Sequence, residues 1–394
     1  MEYSFLQLLA MMNEGLVGGD NFAFRRSRNA NPPSEYLFST RILPRMNKPT
    51  WNIRGGNLTI TPTELKPVAM DSEPAPMGNL QATFYNERIS KFGGQMFFNE
   101  QQQRELIEAE QDVRLMASLS GSNVVGDIDT QINMVAATGR ADGNTINGAR
   151  INRILGIVEF IQASHWNTSE ALAGEALSEG LLDENFSGLD IKVDYKIPAA
   201  RVKDYSGNDR FDQSASKWWE FVRFCYKTLK NPQFYGNSNS YFDIVENSVN
   251  AVREQFITGD VRPMSKYNPA VITQNTDANE RMNFNIYDKA GAVMDVASKS
   301  LVSKPFLKDK RIIVIGELQT SQIELTLGGV TDPDNELAIG YTHVGPTVEG
   351  GGQPGIYSNI FTKPEMPMQL HVATYVNMLP IITDPKKTII AKFD

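Results

Sequence analysis

The sequence predicts an α+β fold, and three segments carry that prediction. Residues 145–180 hold apolar side chains at helical spacing over about ten turns, which predicts one unusually long helix closed by Gly180. Residues 189–197 alternate apolar and polar side chains, as a strand with one buried face does. Residues 50–98 contain strand-like runs on either side of the polar, proline-containing stretch 71–76, which predicts an extended β-hairpin.

Length, charge and cysteine content narrow the class of protein. A chain of 394 residues exceeds the usual size of a single core, so two or three domains are expected. The 46 acidic residues outnumber the 38 basic ones, and a net charge of −8 argues against a protein whose whole surface binds nucleic acid. The single cysteine, Cys225, excludes an intramolecular disulfide and is expected in the core. No apolar run predicts a membrane span, and the N-terminus makes a poor signal peptide, so a cytoplasmic origin is expected.

The N-terminal segment has two parts of different character. Residues 3–17 form a predicted amphipathic helix, with apolar side chains at Phe5, Leu8, Leu9, Met12 and Leu16. Residues 20–50 are rich in proline and arginine and are expected to be irregular. This pattern fits either a solvated arm or an arm that lies on a partner or near nucleic acid.

Further elements are predicted along the rest of the chain. Within the hairpin, Gly55 and Gly56 are expected to form a turn or bulge. The other predicted elements are helices at 99–120, 214–230 and 240–257, strands at 281–287 and 311–316, and two strands around Pro380 and Pro385.

Several motifs resemble catalytic or ligand-binding sites, and each has a simpler structural explanation. Residues 214–217 match the S-x-x-K motif of acylating enzymes, but the partner motif is absent and Ser214 is better explained as a helix cap. The glycines of 350–355 lack the strand, helix and lysine of a phosphate-binding loop. Three alternating acids lack the rest of a calcium loop: Asp332, Asp334 and Glu336. No catalytic, metal-binding or cofactor-binding residue is therefore assigned, and no cofactor is expected.

Short motifs in a particular order suggest a family. They are Tyr36-Leu37-Phe38 with Ile42-Leu43-Pro44, residues 69–78 with Tyr85, Glu87 and Ile89, residues 170–180 with 189–195, Ser216-Lys217-Trp218, and a tail with Gly340-Tyr341, Gly355-Ile356-Tyr357, Pro364, Tyr375, Leu379-Pro380 and Pro385. Together they resemble the lambda-type major capsid protein E family of tailed bacteriophages. The resemblance covers about residues 35–394, and residues 120–145 depart from it.

This resemblance implies the Hong Kong ninety-seven capsid fold. The implied segments are an N-terminal arm (1–45), an extended β-hairpin called the E-loop (46–98), a P-domain with a long spine helix (99–205), an axial A-domain (206–365) and return strands to the P-domain (366–394). It implies a structural protein rather than an enzyme. Such a major capsid protein self-assembles into hexamers and pentamers that form the icosahedral shell of the virion around double-stranded DNA.

The same resemblance implies partners and a location. The partners are other copies of the chain, a scaffolding protein, a portal protein, optionally a decoration protein, and packaged DNA on the inner face, with no membrane. Assembly is expected in the cytoplasm of the host bacterium. Inter-subunit contacts are predicted for arginines of the arm and acids of the hairpin tip: Arg25, Arg26, Arg28, Arg41, Arg45, Asp71 and Glu73. The alternatives are another virion structural protein or a cytoplasmic α/β enzyme that uses the loops of 310–365.

Overall fold

A computed structural model describes most of the chain after the N-terminal segment. The described residues are 33, 35–62, 78–98, 108, 111, 115, 125–138, 140–186, 189–247, 253–255, 261–263, 272–273, 281–294, 300–318, 323–327, 338–363 and 369–394. None of the helices in these ranges combines the length and the apolar character that a membrane span requires. Within the predicted helix 99–120, the residues described are Glu108, Gln111 and Leu115, and all three are helical.

Helices and strands alternate irregularly along the described chain. The α-helices with described bounds are α1 (Ile128–Thr138), α2 (Ile146–Glu179), α3 (Trp218–Thr228) and α4 (Ser238–Glu246), with a short π-helix at Phe38–Ile42. The first ten strands are β1 (Arg45–Asn47), β2 (Asn52–Pro62), β3 (Gly78–Arg88), β4 (Ser90–Phe98), β5 (Leu181–Phe186), β6 (Leu189–Asp194), β7 (Val202–Asp204), β8 (Leu229–Gly236), β9 (Arg253–Gln255) and β10 (Val261–Pro263). The remaining strands are β11 (Ile272–Thr273), β12 (Arg281–Ile286), β13 (Ala290–Met294), β14 (Leu301–Pro305), β15 (Arg311–Leu318), β16 (Ile323–Leu327), β17 (Gly340–Gly345), β18 (Tyr357–Lys363), β19 (Gln369–Ile382) and β20 (Thr388–Lys392).

Helix α2 is one continuous helix of 34 residues, which confirms the prediction of a single long helix. Thr145 caps its start, because the Thr145 hydroxyl accepts a hydrogen bond from the Gly148 amide at 3.2 Å. Gly180 ends the helix with a φ of 74°, a left-handed conformation in which a side chain would be strained. The stretch Asn167-Thr168-Ser169-Glu170 contains residue types that often cap the start of a helix, but it lies inside α2.

A six-stranded sheet has the order β11-β12-β8-β15-β20-β7, and its central strand β15 is buried on both faces. Alternate residues of β15 enter two different hydrophobic clusters. Ile313 and Ile315 belong to the cluster that contains α2, whereas Ile312 and Val314 belong to the cluster that contains α3. The uninterrupted apolar run of this strand follows from burial on both sides.

Strand β19 is the centre of a second sheet. Its antiparallel partners are β17 and β18 along one side and β4 along the other, and β1 adds to β17 in parallel. Helix α2 packs against β19, where the His165 ring meets Thr374. The early, middle and late parts of the chain therefore share one core.

Strands β2 and β3 form the predicted long hairpin, in a sheet separate from the two large ones. Gly55 and Gly56, predicted to form a turn or bulge, lie within β2 and keep a continuous register with β3. Gly56 is paired on both sides, because β16 adds to β2 in antiparallel register with Leu327 opposite Gly56 and Ile323 opposite Ile60. The hairpin tip at 71–76 lies outside the described residues.

Two predicted helices have different ends from those expected. Helix α3 begins at Trp218, four positions after the predicted cap Ser214, and the Ser216 hydroxyl accepts the Trp218 amide at 3.3 Å. Helix α4 ends at Glu246 instead of 257. The next side chain, Asn247, donates to two backbone carbonyls of the loop before α3, and residues 253–255 form β9. Those tertiary hydrogen bonds outweigh the helical spacing of the following residues.

Two glycines of α2 allow a matched test of its packing. A Cβ on Gly174 would lie 2.1 Å from the Phe306 carbonyl oxygen, whereas a Cβ on Gly156 would meet nothing within 4 Å. We expect Gly174→Ala to lower the free energy of unfolding by about 2 kcal/mol or more, through steric overlap. We expect Gly156→Ala to raise it by up to about 1 kcal/mol, because alanine favours the helix. Urea unfolding followed by circular dichroism measures both, and equal effects would contradict this packing.

Candidate functional site

A buried carboxylate in α2 holds the segment that leads from the N-terminus into the body. Glu170 is fully buried. Its Oε1 accepts the Phe38 amide at 2.8 Å, and its Oε2 accepts the Ser39 amide at 2.8 Å and the Ser39 hydroxyl at 2.7 Å. The Tyr287 hydroxyl donates to Oε1 at 2.5 Å. Four donors replace the water that this carboxylate gives up on burial.

The residues around Glu170 reinforce this attachment. Phe38 packs edge-on against Tyr287 with ring centroids 5.1 Å apart. Burial, and then the charge of Glu170, raises the pKa of Tyr287, so its hydroxyl keeps the proton that it donates. The Tyr36 hydroxyl donates to Asn167 at 2.5 Å. Residues 36–39 are therefore attached to α2 and to Tyr287 of the same chain.

Two of the arginines predicted to contact other subunits are described. Arg41 is exposed and borders a groove that Glu35 and Leu37 also line. Arg45 is half-buried: its guanidinium carbon lies 5.1 Å from the centre of the Trp166 ring of α2, and burial lowers its pKa to about 10. The other predicted contacts lie outside the described residues: Arg25, Arg26, Arg28, Asp71 and Glu73.

His165 lies next to this arginine in the core. Its Nε2 is 2.5 Å from the Thr374 hydroxyl of β19. Burial, and then the nearby positive charge of Arg45, lowers the pKa of His165 to about 4. His165 is therefore a neutral core residue at pH 7, which agrees with the sequence-based expectation that it packs rather than catalyses.

A group of charged residues joins the end of α2 to the six-stranded sheet. Glu179 accepts Lys392 of β20 at 2.5 Å and Arg311 of β15 at 3.2 Å, and Lys308 lies 3.5 Å away. Burial opposes ionisation of Glu179, but the Lys392 hydrogen bond and the surrounding cations together lower its pKa. This group links the last turn of α2 to two central strands.

A shallow groove lies at the base of the β2–β3 hairpin. Trp51, at the start of the hairpin, is 44% exposed beside it. The Lys48 ammonium lies 4.7 Å above the Tyr341 ring, and His343 Nε2 is 3.1 Å from the Thr50 carbonyl oxygen. An exposed tryptophan is typical of a surface that contacts another molecule.

Sequence reasoning missed the burial of Glu170 and its bond to Tyr287. The sequence places Glu170 at the start of the 170–180 motif and Tyr287 at the end of the predicted strand 281–287, and it gives neither side chain a buried polar role. Glu170 lies four residues after Trp166 and three before Ala173, both buried, so its place on the apolar stripe could have indicated its burial. Among the described residues there is no group of three or more His, Cys, Asp or Glu that could hold a metal ion.

The Glu170 contacts predict a large effect on stability. Glu170→Ala leaves four buried donors without their acceptor, so we expect the free energy of unfolding to fall by about 3–5 kcal/mol. Glu170→Gln keeps one acceptor oxygen and should cost less than Glu170→Ala. The matched control on the same helix is Glu159→Ala, which removes an exposed pair with Arg140 and should cost about 0–1 kcal/mol. Chemical unfolding of all three variants checks this order, and a Glu170→Ala effect equal to the control would contradict it.

The His165 pKa predicts a pH dependence. The unfolded chain takes up a proton below the ordinary pKa of 6.5, whereas the folded chain does so only below about 4. Stability therefore falls as the pH drops from 6.5 towards 4, by about 2 kcal/mol at about pH 5. His165→Asn cannot titrate there, so the loss between about pH 7 and about pH 5 should be smaller by that amount. Urea unfolding at both pH values measures the difference, and identical losses in the two proteins would refute the assignment.

Comparison with known proteins finds solved structures that resemble the structure of this chain. No protein-family model and no curated protein matches the sequence, so the lambda-type assignment stays a prediction. The chain is 10% identical to a phage-related protein from Bordetella bronchiseptica RB50 over 92% of this chain and 93% of the other, with a TM-score of 0.41. It is 8% identical to a chain of the mature capsid of bacteriophage PhiM1 over 92% and 89%, with a TM-score of 0.40.

A further match covers both chains completely. The chain is 12% identical to a prophage protein of E. coli CFT073 that is assigned as a capsid protein, over 100% of each chain and with a TM-score of 0.50. This similarity confirms the predicted α+β capsid fold.

Proposed function

We propose that this chain is the major capsid protein of a tailed bacteriophage and assembles into its shell. The observation that carries the proposal is the similarity of fold, over the full length of both chains, to a prophage protein assigned as a capsid protein. The shell would be icosahedral, built from hexamers and pentamers, and would enclose double-stranded DNA. A chain with a net charge of −8 suits a lumen in which DNA packs without being held everywhere.

Features of the described structure support a role in assembly. The β2–β3 hairpin has eleven-residue strands and lies in a sheet outside the two large ones. Trp51 at its base and Val348 on a nearby turn are 44% and 76% exposed. Extended elements and exposed apolar side chains are places where neighbouring copies would bury surface.

The domain plan and the contact residues form part of the same proposal. We keep the arm at 1–45, the E-loop at 46–98, the P-domain at 99–205, the A-domain at 206–365 and the return strands at 366–394. Tyr36, Phe38, Ile42 and Leu43 belong to the chain's own core, so most of the arm's contacts with a neighbouring copy would come from residues before Tyr36. The inter-subunit contacts would come from the arm and the hairpin tip: Arg25, Arg26, Arg28, Arg41, Arg45, Asp71 and Glu73.

The proposed partners follow from the shell. They are further copies of the chain, a scaffolding protein, a portal protein, optionally a decoration protein, and the packaged DNA, with assembly in the host bacterial cytoplasm. An enzyme using the loops of 310–365 is less favoured, because the fold match is to a capsid protein. Within that region His343 is buried, and its Nε2 is bound to the Thr50 carbonyl.

The proposal predicts self-assembly with a measurable dependence on the arm. The purified chain, co-expressed with its scaffolding protein where one is required, should form closed particles visible by electron microscopy. Replacing Arg25, Arg26 and Arg28 with alanine should lower the particle yield in sedimentation while leaving the circular dichroism spectrum unchanged. Such arginines would pair with acids of a neighbouring copy, and interfacial pairs lose about 2–5 kcal/mol when one partner is removed.

The control uses one arginine of the body. Arg140→Ala removes a pair that is exposed in the described structure, so its particle yield should remain close to that of the wild type. A chain that stays monomeric under all conditions would argue against the capsid function. Normal particles from the triple variant would argue only against the role of the three arginines.

A further inference from the structure

Strands β13 and β14 form an antiparallel pair that stands apart from every larger sheet in the described chain. All five residues of β14 are exposed, and Leu301 is 70% exposed. A two-stranded sheet is only marginally stable in water unless another element packs on it. Helix α2 packs against β13, whereas every residue of β14 remains exposed.

The two faces of this pair have different surroundings. Gly291, opposite Lys304, faces α2: a Cβ on it would meet the Phe306 ring at 2.8 Å and Asn167 at 3.9 Å. Because strand residues alternate between faces, the residues in between lie on the outer face. The described residues of this outer face are all exposed and uncharged: Ala290, Ala292, Leu301, Ser303 and Pro305.

The N-terminal segment joins the body at the base of this same pair. The Lys289 ammonium, immediately before β13, lies 2.7 Å from the Glu35 carboxylate. The Tyr36 ring lies 6.1 Å from the ring of Phe306, immediately after β14. The Phe306 amide closes the base by donating to the Lys289 carbonyl at 3.0 Å. Residues 1–34 therefore connect to the body beside the end of the pair where β13 begins and β14 ends, next to its exposed outer face.

We propose that residues 3–17 of the same chain dock on the outer face of the β13–β14 pair. Their apolar side chains recur at helical spacing, which gives the segment one apolar face to bury: Phe5, Leu8, Leu9, Met12 and Leu16. The eighteen residues from 17 to 35 span up to about 60 Å when extended, whereas a five-residue strand is about 17 Å long. The tether thus reaches the whole face.

Tethering favours this occupant. The segment belongs to the same chain as the face, and a tether of eighteen residues raises its effective concentration at the face to about the millimolar range. The same segment of a second copy lacks that advantage, and it is the competing occupant that the experiment separates.

Cysteine cross-linking of the full-length chain tests the docking. The native Cys225 is fully buried, so it does not interfere. The Leu8→Cys/Leu301→Cys variant should form an intramolecular disulfide that the reduced protein lacks. The matched control, Leu8→Cys/Val302→Cys, carries the second thiol on the opposite face and should form little. Co-expressed Leu8→Cys and Leu301→Cys single variants should give no disulfide-linked dimer.

Hydrogen exchange gives a second measurement that needs no thiol. Deleting residues 1–32 should speed exchange of the amides in 290–305 by about tenfold or more, since burial of one leucine-sized side chain is lost. Leu301→Ser should have a similar effect on these amides, and Val302→Ser a smaller one.

The outcomes separate the occupants of the face. Dimer formation by the single variants would assign the face to a second copy and overturn the docking within one chain. Equal cross-linking at Val302, or unchanged exchange after the deletion, would also overturn it. Both measurements apply to assembled and unassembled protein, so they succeed or fail independently of the proposed shell function.

Discussion

The buried carboxylate of Glu170 is the constraint on which the arrangement around the long helix depends. An ionised carboxyl group is stable without water only where several donors converge on it, and its donors come from two distant segments, at 38–39 and at Tyr287. Each segment is therefore fixed relative to α2. Because Tyr287 lies just before β13, the same carboxylate fixes the position of the start of β13. It also fixes the point where the N-terminal segment reaches α2.

The six-stranded sheet supplies the second level of organisation. Its central strands carry apolar side chains on both faces, so the sheet belongs at once to the cluster around α2 and to the cluster around α3. Glu179 adds an electrostatic link at the same boundary, where Lys392 and Arg311 meet the last turn of α2. Helix, sheet and the last strands thus support one another through apolar packing and a half-buried charged group.

Local patterns in the sequence predicted the elements that are stabilised locally. The apolar stripe and Gly180 were sufficient for α2, and the unbroken apolar run at 311–316 was sufficient for a buried strand. Features that depend on partners distant in sequence were not predictable. The pairing of β16 with β2 joins residues more than 250 positions apart, and nothing in either segment specifies the other. Likewise, Asn247 ends α4 through tertiary hydrogen bonds that a local pattern does not contain.

The third strand of the hairpin sheet has a mechanical consequence. Strand β15 ends at Leu318 and β16 begins at Ile323, so five peptide units connect the central sheet of the body to the far half of β2, opposite Ile60. Five units span at most about 18 Å. The hairpin is consequently attached to the body at two points, at its own base and well along its length. The second attachment resists bending of the hairpin relative to the body. A load applied to it reaches the body by two routes, one of which ends in the strand that both hydrophobic clusters share.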